Sequence, residues 1–451
     1  MKDMTNGSPS KILWTFSLPL LLSIMFQQLY NIVDSVVAGK FIGVNALAAV
    51  GASYPITMIF MAVASGANIG CSVIISQYFG AKKYKKMKTA IFTAIIAIAV
   101  VSLLLTVIGF ILCNALMRLL QTPTNIFADS VLYLRIYILG LLFLFIYNIC
   151  TGIFTALGDS STPLYFLIAS SIGNIVFDLI FVIVFKMGVA GVAWATFMCQ
   201  GVASVLALLT LLKRIGLIET DRTYRYFSFR MLKKISTIAI PSILQQSFIS
   251  VGNLFIQALV NGYGSNVIAA YSAAVKLNTF AITSFTTMAN GLSSFTAQNM
   301  GAKKINRVYK GYHAGIAMIM IVCIPFLITF FFFSDAIMKI FLSNTEDITG
   351  VLKEGRNFLR IVSPFYIVIS LKLMTDGVLR GAGAMKPFMI ATLTDLIIRV
   401  ILSFVLSAVI QSPSGIWLSW PLGWVAGAFL SLRFYWKGDW KNKDVIGNNL
   451  G

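Results

Sequence analysis

Three polar residues lie in apolar stretches where a charged side chain is costly. Asp34 follows Pro19 by 15 residues, and Asp178 follows Asn174 by four. The spacing of four places an amide and a carboxylate on one face of a helix. An ionised side chain at the centre of a membrane helix costs about 2.5 to 3.5 kcal/mol, so it needs a partner or a function. We interpret both carboxylates as candidate cation-binding groups, the alternative being a helix cap or a packed polar contact.

Two carboxylates in one low-dielectric pocket cannot both stay ionised at little cost, so one of them is expected to hold a proton near neutral pH. The same oxygens, joined by amide and hydroxyl oxygens, would also suit a hard monovalent cation. The residue types therefore favour a carrier of H+ or Na+ and leave the choice between the two ions open. No cofactor is expected beyond this coupling ion.

The second half of the chain places basic residues in apolar stretches. Lys276 is interpreted either as a mobile charge that competes with a cationic substrate or proton, or as a side chain that snorkels or pairs with Asp376. Asp395 and Arg399 are four residues apart and are predicted to neutralise each other as a structural pair. The candidate substrate or coupling residues are Gln27, Gln28, Gln245, Gln246, Lys276 and Lys372.

The elements that position these residues are predicted to be membrane helices. Of the 451 residues, 58% are hydrophobic and 11% are charged, which excludes a soluble globular protein because such chains are about a quarter charged. A spanning helix needs about 20 mainly apolar residues and satisfies its own backbone hydrogen bonds. Twelve such stretches are predicted, near residues 12–38, 47–79, 89–112, 131–157, 163–185, 190–212, 236–260, 267–299, 311–333, 358–379, 387–409 and 414–434.

The basic residues predict the orientation of these helices. The formal net charge is +20, which raises the question of nucleic acid, but the charges lie between apolar runs. With the N-terminus inside, the inner segments hold 24 Lys and Arg residues and the outer segments hold six. Cytoplasmic loops are enriched in Lys and Arg. We therefore predict a multi-pass protein of the cell membrane with both termini cytoplasmic, a first helix that is retained rather than cleaved, and no nucleic-acid partner.

An internal repeat predicts two related halves. The segment QYFGAKK at 77–83 recurs 221 positions later as QNMGAKK at 298–304, and 134–136 recurs 225 positions later as 359–361. Duplication of this kind is common in transporters, and two halves of six helices each are related by an axis along the membrane normal. The predicted domains are a first six-helix bundle (1–212), a cytoplasmic linker (213–235), a second six-helix bundle (236–434) and a cytoplasmic tail (435–451).

Several motifs together resemble the multidrug and toxic compound extrusion (MATE) transporters over nearly the whole chain. They are SLPLLLSIMFQQLYNIVDSVVAGKFIG, the two GAKK repeats, the TALGDSSTP and LRGAGAMKP turns, and SIGNIVFDLIF followed by GVAGVAWAT. The resemblance implies an all-α membrane fold of twelve helices in two pseudo-twofold-related bundles that open alternately to each side, with Pro19 bending the first helix. It also implies a bacterial inner membrane and an ion-coupling cluster made of Asp34, Asn148, Asn174, Asp178 and Thr196.

The sequence departs from the family pattern at two points. Gln245 and Gln246 stand where some sodium-coupled members carry an acidic residue, and Asp376 is the clear buried acidic residue of the second half. These features favour coupling in the first half. Leu179 stands where a proline is common after Asp178, which predicts a weaker kink.

The predicted function is a cation-coupled (H+ or Na+) antiporter that exports amphipathic, often cationic drugs or toxic organic compounds by alternating access. Its expected partners are those small molecules and the lipid bilayer, and the expected state is a monomer. The alternative is a lipid-linked precursor flippase of the same superfamily, for which Lys276, Lys372 and Arg135 would supply part of a cationic cavity. An enzyme is not expected, because the chain has one His and lacks HExxH, GxSxG and P-loop motifs.

Overall fold

A computed structural model describes residues 2–37, 41–220, 224–341, 348–443 and 445–447, and the regular elements within these ranges are all helical. The first half contains α1 (Pro9–Val37), α2 (Val44–Gly80), α3 (Tyr84–Leu119), α4 (Thr124–Leu139), α5 (Leu141–Ala156), α6 (Ser161–Leu179) and α7 (Val189–Gly216). The second contains α8 (Phe229–Asn261), α9 (Ser265–Gly301), α10 (Ile305–Phe332), α11 (Ser334–Phe341), α12 (Ile348–Val362), α13 (Tyr366–Gly381), α14 (Met385–Ile410) and α15 (Ser414–Lys437).

The twelve predicted spans each correspond to one helix or to a broken pair. In the described ranges, ten helical segments are long and apolar enough to cross a membrane, and the bent pair α4 and α5 makes an eleventh. The twelfth is α9, which has 37 residues but a more polar sequence. Many of its polar side chains are buried in protein, as is Asn278, which accepts a hydrogen bond from Tyr366 at 3.0 Å.

Three spans are interrupted in ways that an apolar run does not reveal. The fourth bends by 48° between α4 and α5, at Gly140. The tenth contains a 3-10 turn at Ser363–Phe365 between α12 and α13. The fifth ends in a π-helical turn, Ile180–Val184, directly after α6. A π turn changes the backbone hydrogen-bond ladder, and such turns are frequent at functional sites.

The chain folds into two compact units. Unit 1 consists of Met1–Asp3 and Leu18–Gln246, and unit 2 consists of Met4–Ser17 and Ser247–Gly451. Two helices, α1 and α8, therefore contribute to both units. Each division falls close to a proline inside the helix, Pro19 in α1 and Pro241 in α8. The predicted boundaries at residues 212, 235 and 434 remain predictions.

The repeated motifs form the same local structure in each unit. Helices α2 and α9 end in matching turns, in which Lys82 and Lys303 adopt positive φ angles of 55° and 58°. The Ala81 N–H donates to Gln77 O at 2.9 Å, and the Ala302 N–H donates to Gln298 O at 3.0 Å. The turns that begin α6 and α14 also match, because Gly158 and Gly383 have φ angles of 77° and 80°. The repeat in the sequence is therefore a repeat of backbone geometry.

Candidate functional site

A polar cluster in unit 1 joins α6 to α7. Asn174 and Asp178 are 3% and 1% exposed and lie one turn apart on α6. The Asn174 amide is assigned the orientation that satisfies both its atoms: Nδ2 donates to Asp178 Oδ2 at 2.9 Å, and Oδ1 accepts a hydrogen bond from the Thr196 backbone N–H at 3.2 Å. The amide therefore links the carboxylate on one helix to the backbone of the next.

Two features of the backbone place this cluster. The π-helical turn begins two residues after Asp178, so the regular ladder of α6 ends beside the carboxylate. Helix α7 then approaches closely, because Gly191 has no side chain at a point where a Cβ would lie 3.2 Å from Phe181. Leu179 thus precedes a π turn, where the sequence predicted only a weaker kink.

The structure brings three of the five predicted ion-coupling residues together. Within the described residues, Asn148 makes its hydrogen bond inside α5, where Nδ2 donates to the Leu144 carbonyl at 2.8 Å, rather than to the cluster of Asn174, Asp178 and Thr196. Asp34 belongs to α1, but its side chain lies outside the described residues. The roles of all five remain predictions.

The glutamines and Pro19 are found on the two helices that both units share. Gln27 and Gln28 are half-buried on α1, and Gln245 is buried and Gln246 half-buried on α8. Pro19 lies inside α1, where the Ser23 hydroxyl donates to its carbonyl at 2.9 Å.

A second buried polar cluster, in unit 2, contains Lys372. This side chain is 2% exposed, and its Nζ lies 2.8 Å from Asp376 Oδ2 and 3.7 Å from Asp395 Oδ2. The Ser431 hydroxyl donates to Asp376 Oδ1 at 2.6 Å. Asp376 is thus held by Lys372 and not by Lys276, which is exposed. We refer to Lys372, Asp376, Asp395 and Ser431 as the lysine cluster.

The predicted ion pair between Asp395 and Arg399 is wrong. Among the described residues, Asp395 forms its ion pair with Lys372 of α13, while the Arg399 guanidinium lies over the Trp420 ring at 4.5 Å from the centroid. The two residues share a face of α14, but the neighbouring helices offer each of them a different partner. Asp395 is also a second buried acidic residue of this half, where the sequence pointed clearly only to Asp376.

Two further polar residues beside these carboxylates, Arg380 and Ser431, were not predicted from the sequence. Arg380 is buried, and its Nη2 donates to Asn290 Oδ1 of α9 at 2.5 Å. Lys372, Asp376 and Arg380 are spaced by four residues each, so the helical period alone places them on one face of α13. That spacing was the available signal. Ser431 gives no signal in the sequence, because serine is common in membrane helices.

The two clusters differ in what they can do chemically. In unit 1, the bond to Asp178 is donated by the amide of Asn174, which is neutral. In unit 2, both carboxylates share the Lys372 ammonium. A buried charge needs a counter-charge or a proton, and in unit 2 that counter-charge belongs to the chain.

These features define the class of protein as a polytopic membrane transporter with an internally duplicated chain. A family model described as MatE matches residues 19–180 and 241–405. The chain belongs to the MatE family. This family and the apolar helices make it a multi-pass membrane protein.

Curated relatives and solved structures agree with this assignment. A probable multidrug resistance protein, YpnP of Bacillus subtilis (strain 168), is 27% identical over 97% of both chains. The multidrug export protein MepA of Staphylococcus saprophyticus is 21% identical over 91% of this chain and 90% of its own. A crystal structure of a MATE protein in complex with MaL6 superposes with a TM-score of 0.90 at 22% identity, covering 96% of each chain. The predicted all-α, twelve-helix, two-bundle fold class is confirmed.

Proposed function

We propose that this protein is a cation-coupled antiporter that exports amphipathic, often cationic drugs or toxic organic compounds by alternating access. The observation that carries the proposal is Asp178, which is 1% exposed within a 24-residue apolar span and is held by the neutral amide of Asn174. The names of the relatives, a probable multidrug resistance protein and a multidrug export protein, support the substrate class. The coupling ion is H+ or Na+.

The ion and the substrate must favour opposite states of one bistable element, because a ligand shifts an equilibrium only by its differential affinity for the two states. Binding of a cation or proton at Asp178 removes a buried negative charge. The π turn at Ile180–Val184 follows directly, and its altered hydrogen-bond ladder is the segment of unit 1 best placed to change with that charge. Asp34 and Thr196 would complete the ion site.

The energetics depend on the charge of the substrate. Exchange of one proton for one monovalent organic cation moves no net charge, so only the pH gradient contributes, at about 1.4 kcal/mol or tenfold per pH unit. Exchange of a proton for a neutral or zwitterionic substrate adds the membrane potential, about 2.3 kcal/mol per charge per 100 mV. A zwitterion should therefore respond to voltage where a cation does not.

The proposal includes the setting of the protein. The Lys and Arg distribution supports an orientation with both termini cytoplasmic, and the family resemblance supports a bacterial inner membrane. The protein is proposed to act as a monomer in the bilayer, with small organic molecules as its partners.

The test is transport in proteoliposomes. Ethidium flux is measured under an imposed pH gradient or an imposed Na+ gradient, for the wild type, Asp34→Asn and Asp178→Asn. Asp395→Asn is the matched control. It removes a buried carboxylate from unit 2 and leaves the ion pair between Lys372 and Asp376 in place. We expect one gradient to drive flux in the wild type and the control and to drive none in the two unit 1 variants. Flux that ignores both gradients in the wild type would refute the coupling.

The alternative function, movement of a lipid-linked precursor, is a distinct outcome of the same preparation. It needs free cations to meet a pyrophosphate. Lys372 is committed to two carboxylates, and Arg135 lies 5.6 Å from the centroid of the Phe110 ring and 3.5 Å from Asn114 Oδ1. If neither gradient moves ethidium, but the folded protein moves a lipid-linked substrate, the result supports the flippase function in place of the antiporter function.

A further inference from the structure

We propose that the lysine cluster of unit 2 is a monovalent-cation site whose place is filled by the chain's own Lys372 ammonium. Its Nζ lies between the carboxylates of Asp376 and Asp395, on two different helices. A bound Na+ would need oxygen atoms from several elements around one point. Asp376 of α13 and Asp395 of α14 supply such oxygens to the ammonium, and Ser431 of α15 holds the other carboxylate oxygen of Asp376.

Helix α15 leaves space for this arrangement. Gly423 and Gly427 are four residues apart and therefore lie on one face of the helix. A Cβ on Gly427 would lie 2.6 Å from Lys372 Cε and 2.8 Å from Asp395 Cβ, and a Cβ on Gly423 would lie 2.9 Å from Asp395 Oδ1. Side chains at these two positions would displace the lysine and the carboxylate. The two glycines therefore allow α15 to approach Lys372 and Asp395 closely.

The site also retains polar atoms that the lysine does not satisfy. Among the described residues, Asp395 Oδ1 and the nearby Thr392 Oγ1 on α14 are buried without a hydrogen-bond partner. Asp395 is 8% exposed and faces α15 through Gly423. A buried carboxylate oxygen with no donor is costly. It is the kind of atom that a bound cation would use.

The surrounding charges make Lys372 the direct counter-ion. Arg399 lies over Trp420, and Arg380 is bonded to Asn290 and Ser293 of α9. Neither guanidinium forms an ion pair with Asp376 or Asp395 within the described part of the chain, whereas Lys372 pairs with both. Removal of this one ammonium therefore leaves two carboxylates without a paired cation.

The consequence for transport rests on the function proposed above. While Lys372 fills the site, unit 2 takes up no exchangeable cation, so coupling is confined to the cluster of unit 1. In the wild-type protein the unit 2 cluster then contributes a fixed charge to the fold and no exchangeable cation.

The experiment is thermal unfolding of the purified full-length protein in NaCl or in choline chloride at equal concentration and fixed pH. Lys372→Ala removes the ammonium and leaves space, so its Tm difference between NaCl and choline chloride should exceed that of the wild type by about 3 °C or more. The matched control is Lys372→Ala combined with Asp395→Asn, which lacks the second carboxylate and should return to the wild-type difference. A Lys372→Ala protein whose difference equals that of the wild type overturns the proposal.

A second measurement tests the proposal if Lys372→Ala does not fold. The variant Asp34→Asn/Asp178→Asn keeps Lys372 and lacks both unit 1 carboxylates, and its Tm should be the same in NaCl and choline chloride. A Na+ response in this variant that disappears on adding Asp395→Asn would show that unit 2 binds a cation beside the lysine, and would overturn the proposal. Neither measurement involves transport, so failure of the antiporter function in vesicles remains a separate result.

Discussion

Each unit buries a polar pair with the same spacing but a different first member. In unit 1, Asn174 precedes Asp178 by one turn, and in unit 2, Lys372 precedes Asp376 by one turn. An amide donates a hydrogen bond and leaves the charge of the carboxylate in place, whereas an ammonium neutralises it. Under the proposed function, this difference keeps Asp178 for an exchangeable cation and gives Asp376 a counter-ion from the chain.

The two clusters are not copies of each other. The matching prolines Pro163 and Pro387 set an offset of 224 for α6 and α14, which pairs Asn174 and Asp178 with Ile398 and Leu402. The offset of 225 at Gly152 and Gly377 pairs Lys372 and Asp376 with Tyr147 and Thr151, so neither cluster has a charged counterpart in the other half. The duplication kept the turns and diverged in the charged residues, so the two halves are expected to have different roles.

The largest effect is expected from Asn174→Lys. This variant places a lysine one turn before an aspartate in unit 1, as in unit 2. The new ammonium would lie one turn before Asp178 and neutralise it permanently. We expect gradient-driven ethidium flux to fall by at least about tenfold, because one paired buried charge is worth more than about 1.4 kcal/mol. Flux in proteoliposomes measures the effect. Asn174→Gln, which keeps a neutral amide, is the control, and equal losses in both variants would contradict the charge argument.

A smaller effect is expected from Gly427→Ala, which tests the space around Lys372. The added methyl group would meet Lys372 Cε at 2.6 Å, and overpacking of this kind costs about 1 to 3 kcal/mol. Thermal unfolding should give a lower Tm. Gly51→Ala in α2 is the control, since no atom lies within 4 Å of a Cβ at that position. A Tm unchanged at 427 would mean that the lysine can move aside freely.

The smallest effect is expected from Asn148→Ala. Its amide bonds to the Leu144 carbonyl of its own helix, so its removal should change coupled flux by less than about threefold. Asn174→Ala removes a hydrogen bond to a charged group, worth about 1.5 to 3 kcal/mol, and should cost at least about tenfold. The ratio of the two fluxes in one vesicle preparation is the measurement. If Asn148→Ala is the more damaging change, the amide of Asn148 reaches the ion in another state.

Much of the architecture follows from the sequence because a membrane span is a matter of length and apolarity. All twelve spans were located, including the polar α9, whose motif repeats that of α2. The breaks at Gly140 and Ser363–Phe365 were not predicted, and neither was the π turn after Leu179. Hydropathy measures side chains, whereas these breaks are changes in backbone hydrogen bonding.

The candidate sites were predictable only where the partners lie on one helix. Asn174 and Asp178 were paired correctly because a spacing of four decides which side chains meet. The same rule failed for Asp395 and Arg399, since Lys372 of α13 and Trp420 of α15 compete successfully for them. Contacts between helices depend on packing, and here on the glycines of α15, which a single sequence does not reveal.

The absence of a side chain at Gly427 has a consequence for the evolution of the family. Lys372 Cε lies where a side chain at position 427 would begin, so a lysine at 372 favours glycine at 427, and the two positions should change together among relatives. A homologue with a short or neutral residue in place of the lysine would tolerate a larger residue on α15, and one that keeps the lysine would not. This pair of positions would then sort uncharacterised sequences into a group with a fixed internal charge and a group without it.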